Sequence, residues 1–265
     1  MENKKYKLLA VDIDGTLLNN KKELTEENKK YIDLAIENGA IFAISTGRAY
    51  VTAKRYFEMF GQNIPLILYN GSLVCMSRTE EVIFNVLMPN EIVNQVIEIL
   101  ENQDITYCFW ADDKVYFNKF DSHMEYYKKS TGCSPILYKK DMQKVENVVK
   151  FVCFDTPEVL QNLQENILNI VDGINYFKSM PTFLEIVPVG IDKARAVEKL
   201  SERFNISKED VIAIGDGEND ISMIRWAGLG VAMENANVNV KSNADIITKS
   251  NEDSGVAEVI KKYVL

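Results

Sequence analysis

Short apolar runs, Leu8 to Ile13, Ile41 to Ser45 and Pro65 to Tyr69, punctuate the first part of the chain, and the two stretches between them carry apolar residues at helical spacing. That alternation predicts strands joined by helices in a parallel sheet. In the first intervening stretch Thr25 is placed to cap a helix, Glu26 and Glu27 fall in its first turn, Ile32, Ala35 and Ile36 form its apolar side, and Gly39 stops it. The same rhythm returns late in the chain. Val211 to Ile214 reads as a strand, Glu218 to Ala227 as a helix, Leu229 to Met233 as a strand, a helix follows near Asn235, and Ile246 to Thr248 reads as a last strand. One sheet is therefore expected to draw strands from both ends of the chain.

Between about Phe84 and Ile186 the pattern changes to period two in Ile105 to Phe109, Val115 to Phe117, Val148 to Phe154 and Phe183 to Val187. Helical patterning near Glu91 to Glu101 and Glu158 to Ile170 interleaves with these segments. Fifteen of the twenty-six aromatic residues lie in this region, so its composition departs from that of the flanks. The expected architecture is α/β: a Rossmann-like parallel-sheet core formed by residues 1–83 and 188–265, with an inserted α+β cap domain at 84–187. The aromatic residues have two readings, the filling of a small sheet's core or a wall that faces a substrate.

Composition narrows the function. In 265 residues, thirty Lys and Arg stand against thirty-nine Asp and Glu, a formal charge of -9. Nonspecific nucleic-acid binding needs a basic face and is not expected, and any anion site here needs local cations. The polar start from Met1 to Lys7 and the early interruption of the next apolar run by Asp12 suit neither a signal peptide nor a membrane span. Cys75, Cys108, Cys133 and Cys153 are scattered without a CxxC pair, which predicts free thiols in a reducing, cytoplasmic setting. A single histidine, His123, removes histidine-centred triads and His-rich metal sites from consideration.

Two acidic clusters follow apolar strands. Asp12-Ile13-Asp14-Gly15-Thr16 places two carboxylates at the carboxyl end of the first strand, the edge where open α/β sheets bind ligands, and Gly15 frees the backbone to turn so that both converge. Gly215-Asp216-Gly217-Glu218-Asn219-Asp220 repeats the arrangement after Val211 to Ile214 and opens a helix. With no Cys/His cluster available, oxygen ligands of this kind suit a hard divalent ion such as Mg²⁺. The plainer alternatives are a turn whose aspartates cap the next segment and ordinary N-capping. Neither cluster has the donor spacing of a calcium-binding EF-hand loop. Ser45-Thr46-Gly47-Arg48 after the second strand offers a hydroxyl, backbone amides and a guanidinium, or a simple helix start. Lys193, on the same helical side as Val197, Leu200 and Phe204, points inward unless its stem snorkels to solvent. Together these features describe a phosphate bound beside a metal ion.

In this order the motifs resemble those of the haloacid dehalogenase superfamily, and in particular the Cof-like phosphatases with a large inserted cap. The resemblance spans essentially the whole chain: Asp12 to Leu18, Ser45 to Arg48, Lys193 and Gly215 to Asp220, supported by Tyr69-Asn70-Gly71, Ala227 to Met233 and Gly255-Val256-Ala257. It implies that Asp12 is the nucleophile that becomes an aspartyl-phosphate and Asp14 the general acid and base. It implies phosphate binding by Ile13, Thr46, Gly47, Lys193 and Asn219, and Arg48 as a candidate substrate contact. It further implies Mg²⁺ as cofactor, held by Asp12, the backbone carbonyl of Asp14 and Asp216, with Asp220 supporting the metal or Lys193. Ala194 and Glu234 depart from positions where relatives often carry glycine; neither removes a charged group. The implied activity is Mg²⁺-dependent hydrolysis of small phosphorylated metabolites, sugar phosphates or related esters, with the cap choosing the leaving group and hinging near 82–85 and 186–190. The alternatives are a phosphosugar mutase or phosphotransferase using the same nucleophile, and a noncatalytic metabolite-binding protein. The expected partner is a small phosphorylated metabolite, with no nucleic acid and no membrane.

Overall fold

A computed structural model describes residues 6–139 and 145–265; the polar start that bears on a leader segment lies, through residue 5, outside them. In chain order the regular elements begin with β1 (Leu8–Asp12), α1 (Glu26–Glu37), β2 (Ile41–Ser45), α2 (Tyr50–Phe57), β3 (Pro65–Leu68), β4 (Leu73–Met76) and β5 (Val82–Asn85). Then come α3 (Asn90–Glu101), β6 (Thr106–Ala111), β7 (Lys114–Phe117), α4 (Ser122–Thr131), β8 (Pro135–Leu137), β9 (Val148–Phe154), α5 (Pro157–Ile170), β10 (Ile174–Met180) and β11 (Phe183–Pro188). The last are α6 (Lys193–Arg203), β12 (Val211–Gly215), α7 (Ile221–Trp226), β13 (Leu229–Ala232), α8 (Val238–Lys241), β14 (Ile246–Ile247) and α9 (Gly255–Tyr263).

The chain divides into two compact units. One holds the described residues through Gly47, Arg55–Asn85 and Asp192–Leu265; the other holds Arg48–Lys54 and Val86–Ile191. The first is an α/β unit. Its sheet runs β14-β13-β12-β1-β2-β3-β4-β5, parallel from β14 to β3. β1 lies beside β2 and β12, so strands distant in sequence meet at the centre. Every position of β1 is buried: Leu8 and Ala10 join Val197, Leu200 and Met223 in one core, while Leu9 and Val11 point to the other face. On that other side Asn28 of α1 accepts the Ala257 N–H of α9 at 2.9 Å.

Several expectations change. The parallel sheet is extended by antiparallel β4 and β5, which the sequence reading did not foresee because β4 is only four residues long and pairs locally with β3. The helix expected over Glu218 to Ala227 starts as a 3₁₀ turn, Glu218–Asp220, and becomes α-helical only over α7, because Asp220 N–H bonds to Gly217 O and tightens the first turn. The strand expected through Met233 ends at Ala232, and the one expected through Thr248 ends at Ile247. Thr25 caps α1 as expected, accepting from the Asn28 N–H, and Gly39 follows at φ 88°.

In the second unit the sheet runs β10-β11-β9-β6-β7-β8, antiparallel throughout except for β7 with β8. The period-two segments here are not half-exposed strands: β6 and β9 are buried at every position. On one face Val93, Val96 and Leu100 of α3 and Leu160, Leu163 and Ile167 of α5 pack with Tyr107, Phe109 and Phe151. On the other face Phe154 meets Phe117, Phe183 and Tyr127 at ring separations of 5.7, 4.8 and 5.3 Å, and Trp110 Nε1 donates to Tyr127 Oη at 3.1 Å. Much of the aromatic excess therefore fills core. Buried within this sheet, Lys150 and Glu185 form an ion pair at 2.7 Å. α4, which supplies Tyr127, carries only two buried residues, so its pattern was too weak to read. Among the described residues no helix is long and apolar enough to cross a membrane.

Candidate active site

Three neighbouring parallel strands, β12, β1 and β2, end at one edge, and each delivers part of a motif there: Asp216 just past β12, Asp12 as the last residue of β1, and Thr46 and Gly47 just past β2. The register sets Asp12 directly beside Ser45. The Gly15 turn that follows β1 adopts φ 87°, and a β-carbon there would lie 2.3 Å from Asp216 Oδ2, so glycine is required for the two acidic loops to approach.

Lys193 begins α6, whose first turn is capped by Asp192 accepting from the Arg195 N–H at 2.8 Å. Its side chain is fully buried, and the inward reading of its helical position holds. The ammonium donates to Asp12 Oδ1 at 2.6 Å, to Asp220 Oδ1 at 2.5 Å and to Ser45 O at 3.2 Å. Burial alone would lower its pKa, but the charges of Asp12 and Asp220 and their hydrogen bonds outweigh burial and push it above the ordinary lysine value. It is a permanent cation at neutral pH.

Carboxylate oxygens of Asp12, Asp216 and Asp220 all lie within 4.8 Å of one another. Burial pushes Asp12 well above the usual carboxylate range; Lys193 opposes this, and Asp220 and Asp216 add to it. Burial likewise raises Asp216, to about 6, against a hydrogen bond from Thr16 and with repulsion from Asp220. Crowded, partly desolvated oxygens of this kind fit a hard divalent cation, whose charge would relieve both penalties. Asp220 is engaged on both oxygens: beyond Lys193, its Oδ2 accepts the N–H groups of Asp216 and Gly217 at 3.0 and 2.9 Å.

The other residues singled out in the sequence take distinct places. Asp14 Oδ1 accepts from Lys22 Nζ at 2.8 Å, and its side chain is outside the cluster of three carboxylates. Ile13 is buried, its carbonyl accepting the Leu18 N–H at 3.0 Å. Thr46 is buried at the end of β2, Gly47 lies against the Asn70 amide, and Asn219 Nδ2 donates to Asn70 Oδ1 at 2.9 Å. Arg48 falls in the second compact unit.

Several contributors escaped the sequence reading because they are uncharged. Thr16 Oγ1 donates to Asp216 Oδ1 at 2.7 Å. Three asparagine amides hold carbonyls of the loop after β1: Asn235 takes Gly15 O at 2.8 Å, Asn28 takes Leu17 O at 3.2 Å and Asn251 takes Leu18 O at 2.9 Å. Asn251 N–H in turn donates to Asn235 Oδ1 at 3.0 Å. The available signal was the Val-Ala-Met-x-Asn-Ala stretch and the Gly255-Val256-Ala257 match, which place Asn235 and the partner of Asn28 near recognised motifs.

A haloacid dehalogenase-like hydrolase family model matches residues 9–260. The 5-amino-6-(5-phospho-D-ribitylamino)uracil phosphatase YcsE of Bacillus subtilis is 35% identical over 100% of this chain and 98% of its own length. Among solved structures, a haloacid dehalogenase-like hydrolase from Bacteroides thetaiotaomicron superimposes with a TM-score of 0.88 at 32% identity, covering 97% of this chain and 99% of its own. A protein from Thermotoga maritima does so with a TM-score of 0.86 at 33% identity, covering 97% of each chain. The family match spans the residues that build the site, and the chain belongs to the haloacid dehalogenase-like hydrolases as a phosphatase enzyme.

Proposed function

We propose that this enzyme is a Mg²⁺-dependent phosphomonoesterase in which Asp12 is phosphorylated and then hydrolysed. The observation that carries the reading is the buried Lys193–Asp12 contact beside the carboxylates of Asp216 and Asp220. In the first step an Asp12 oxygen forms a bond to phosphorus, the ester P–O bond breaks, and the leaving alkoxide takes a proton from Asp14. In the second, water gives a proton to Asp14 and attacks phosphorus, and the bond to Asp12 breaks to release inorganic phosphate. Lys193 orients Asp12 and offsets the charge that would otherwise repel a phosphate dianion. Thr46, Asn219 and the backbone at Ile13 and Gly47 are the phosphoryl donors. Asp12, Asp216 and the backbone carbonyl of Asp14 would hold Mg²⁺, which when bound supplies Lewis-acid polarisation and charge neutralisation.

The substrates are small phosphorylated metabolites, and the full-length likeness to a phosphatase named for a phosphoribityl compound favours phosphate on a sugar or sugar-alcohol chain. We assign selection among such esters to the inserted unit, because the motifs of the first unit serve the phosphoryl group common to all of them. Four free, buried cysteines favour a reducing compartment such as the cytoplasm. The test is inorganic phosphate release from p-nitrophenyl phosphate and from a panel of sugar, sugar-alcohol and phosphoribitylamino-uracil phosphates, with Mg²⁺ and with chelator. Mg²⁺-dependent release that vanishes in Asp12→Asn is expected. Full activity in Asp12→Asn, or no turnover across the panel, would overturn the reading.

A further inference from the structure

After β3 the backbone turns through three successive left-handed residues: Tyr69 at φ 51°, Asn70 at φ 57° and Gly71 at φ 107°. Asparagine tolerates this region and glycine favours it, but a buried tyrosine there is an outlier that the surrounding structure must hold in place. What the turn touches gives the strain a use. Asn70 N–H donates to Thr46 O at 3.0 Å, and Asn70 Oδ1 accepts from Asn219 Nδ2 at 2.9 Å. A β-carbon on Gly47 would stand 3.0 Å from Asn70 Oδ1, and one on Gly71 would stand 2.3 Å from the carbonyl oxygen of Asp192, the residue before Lys193. One strained turn thus abuts the end of β2, the start of α6 and the 3₁₀ turn carrying Asn219.

We propose that Asn70 is a positioning residue for phosphoryl binding: through its backbone N–H and its amide it fixes Thr46–Gly47 and Asn219 at one spacing, so that donors from distant chain segments converge on a single anion. This rests on the phosphatase reading of the site. The side-chain contribution acts through Asn219, whose amide is oriented by the bond to Asn70 Oδ1. The backbone contribution needs the left-handed turn and survives loss of the side chain.

Asn70→Gly separates the two, since glycine keeps φ near 57° without strain and deletes only the amide. KM for p-nitrophenyl phosphate and the dissociation constant for orthovanadate, measured by calorimetry, should each rise about tenfold, the worth of one hydrogen bond in a charged setting. The Mg²⁺ concentration for half-activation should stay unchanged. Because the amide works through Asn219, the double variant Asn70→Gly/Asn219→Ala should bind orthovanadate no more weakly than Asn219→Ala alone, a non-additivity that general loosening of the fold would not give. Gly47→Ala crowds the same amide from the other side and should reproduce the rise if Asn70→Gly folds poorly. Orthovanadate affinities within twofold of the unaltered enzyme in both single variants, or strictly additive losses in the double variant, would overturn the proposal. An unaltered enzyme that binds orthovanadate but hydrolyses no ester would sink the phosphatase reading and leave Asn70 to be judged on those affinities.

Discussion

Lys193 and Asp220 meet at 2.5 Å with side chains 0% and 1% exposed, and the second oxygen of Asp220 holds the backbone N–H groups of Asp216 and Gly217. One carboxylate thereby ties the ammonium that orients Asp12 to the loop that presents Asp216. Its geometry is that of a brace. Through these bonds Asp220 holds Lys193 and the Asp216 loop at one spacing beside Asp12.

Removing that brace should harm folding and chemistry together. Asp220→Ala leaves Lys193 buried against Asp12 with one partner lost, a change that costs about 3–5 kcal/mol for a buried pair. Asp220→Asn keeps the shape, but its single amide oxygen cannot serve Lys193 and the loop at once. Its stability loss should be smaller, with kcat still falling at least about tenfold, since one charged hydrogen bond is worth roughly that much. Urea unfolding and steady-state kinetics with p-nitrophenyl phosphate check both outcomes.

Thr16 is fully buried, and its hydroxyl donates to Asp216 Oδ1 at 2.7 Å. Thr16→Val keeps the volume and deletes that bond. Partners of metal-binding carboxylates typically matter by about 10–100-fold in metal affinity. The Mg²⁺ concentration for half-activation should therefore rise by that factor, while KM at saturating Mg²⁺ stays close to that of the unaltered enzyme. In parallel, Mg²⁺ should raise the unfolding free energy of the metal-free protein by about 2.7 kcal/mol at a hundredfold excess over its dissociation constant, and less in Thr16→Val at the same concentration.

What could be read from the sequence divides along a physical line. Charged residues placed just beyond apolar strands, such as Asp12 after Val11 and Asp216 after Gly215, advertise themselves because burying them needs a compensating partner. Lys193 was legible from its place on the apolar side of its helix, with Val197, Leu200 and Phe204. The contacts of Asn70, Asn235 and Asn251 were not, although Asn70 lies in a matched motif, since a neutral amide looks alike on a surface loop and in a buried hydrogen bond. β4 and β5 escaped because short antiparallel strands add little to the pattern of a parallel sheet. In the second unit the period-two signal found the strands, while their burial on both faces, by helices and by aromatic packing at β6 and β9, depends on contacts between elements distant in sequence.

Asp121 predicts a pH dependence. Burial works against its charge, yet hydrogen bonds from Thr106, Met124 and His123 outweigh burial and hold its carboxyl below the ordinary value. The folded state therefore sheds this proton more readily than the unfolded chain. The resulting stability is fully present above about pH 4, where the unfolded carboxyl is ionised, and is lost as pH falls through the lower folded value. Asp121→Asn can still cap α4 through its amide oxygen but carries no charge. Its thermal midpoint should lie below that of the unaltered protein at pH 7, and the gap should narrow below pH 4. A gap constant from pH 7 to pH 3 would show that the charge contributes nothing.

Lys150 and Glu185 pose the opposite problem, a charge pair sealed inside the sheet of the second unit with side chains 3% and 9% exposed. Lys150 sits beside Trp110 in the register and Glu185 beside Val152, so the pair replaces what would otherwise be apolar packing next to the aromatic cluster. In such surroundings desolvation rivals the attraction, and the pair's net worth is small even though each member depends strongly on the other. Lys150→Met should thus destabilise by about 3–5 kcal/mol by leaving Glu185 without its buried cation, and Glu185→Gln should do the same for Lys150. The double variant Lys150→Met/Glu185→Leu should recover most of that loss. Chemical unfolding of the three variants measures the coupling directly; additive losses in the double variant would mean that the two charges are satisfied independently, and the pair would then be no pair at all.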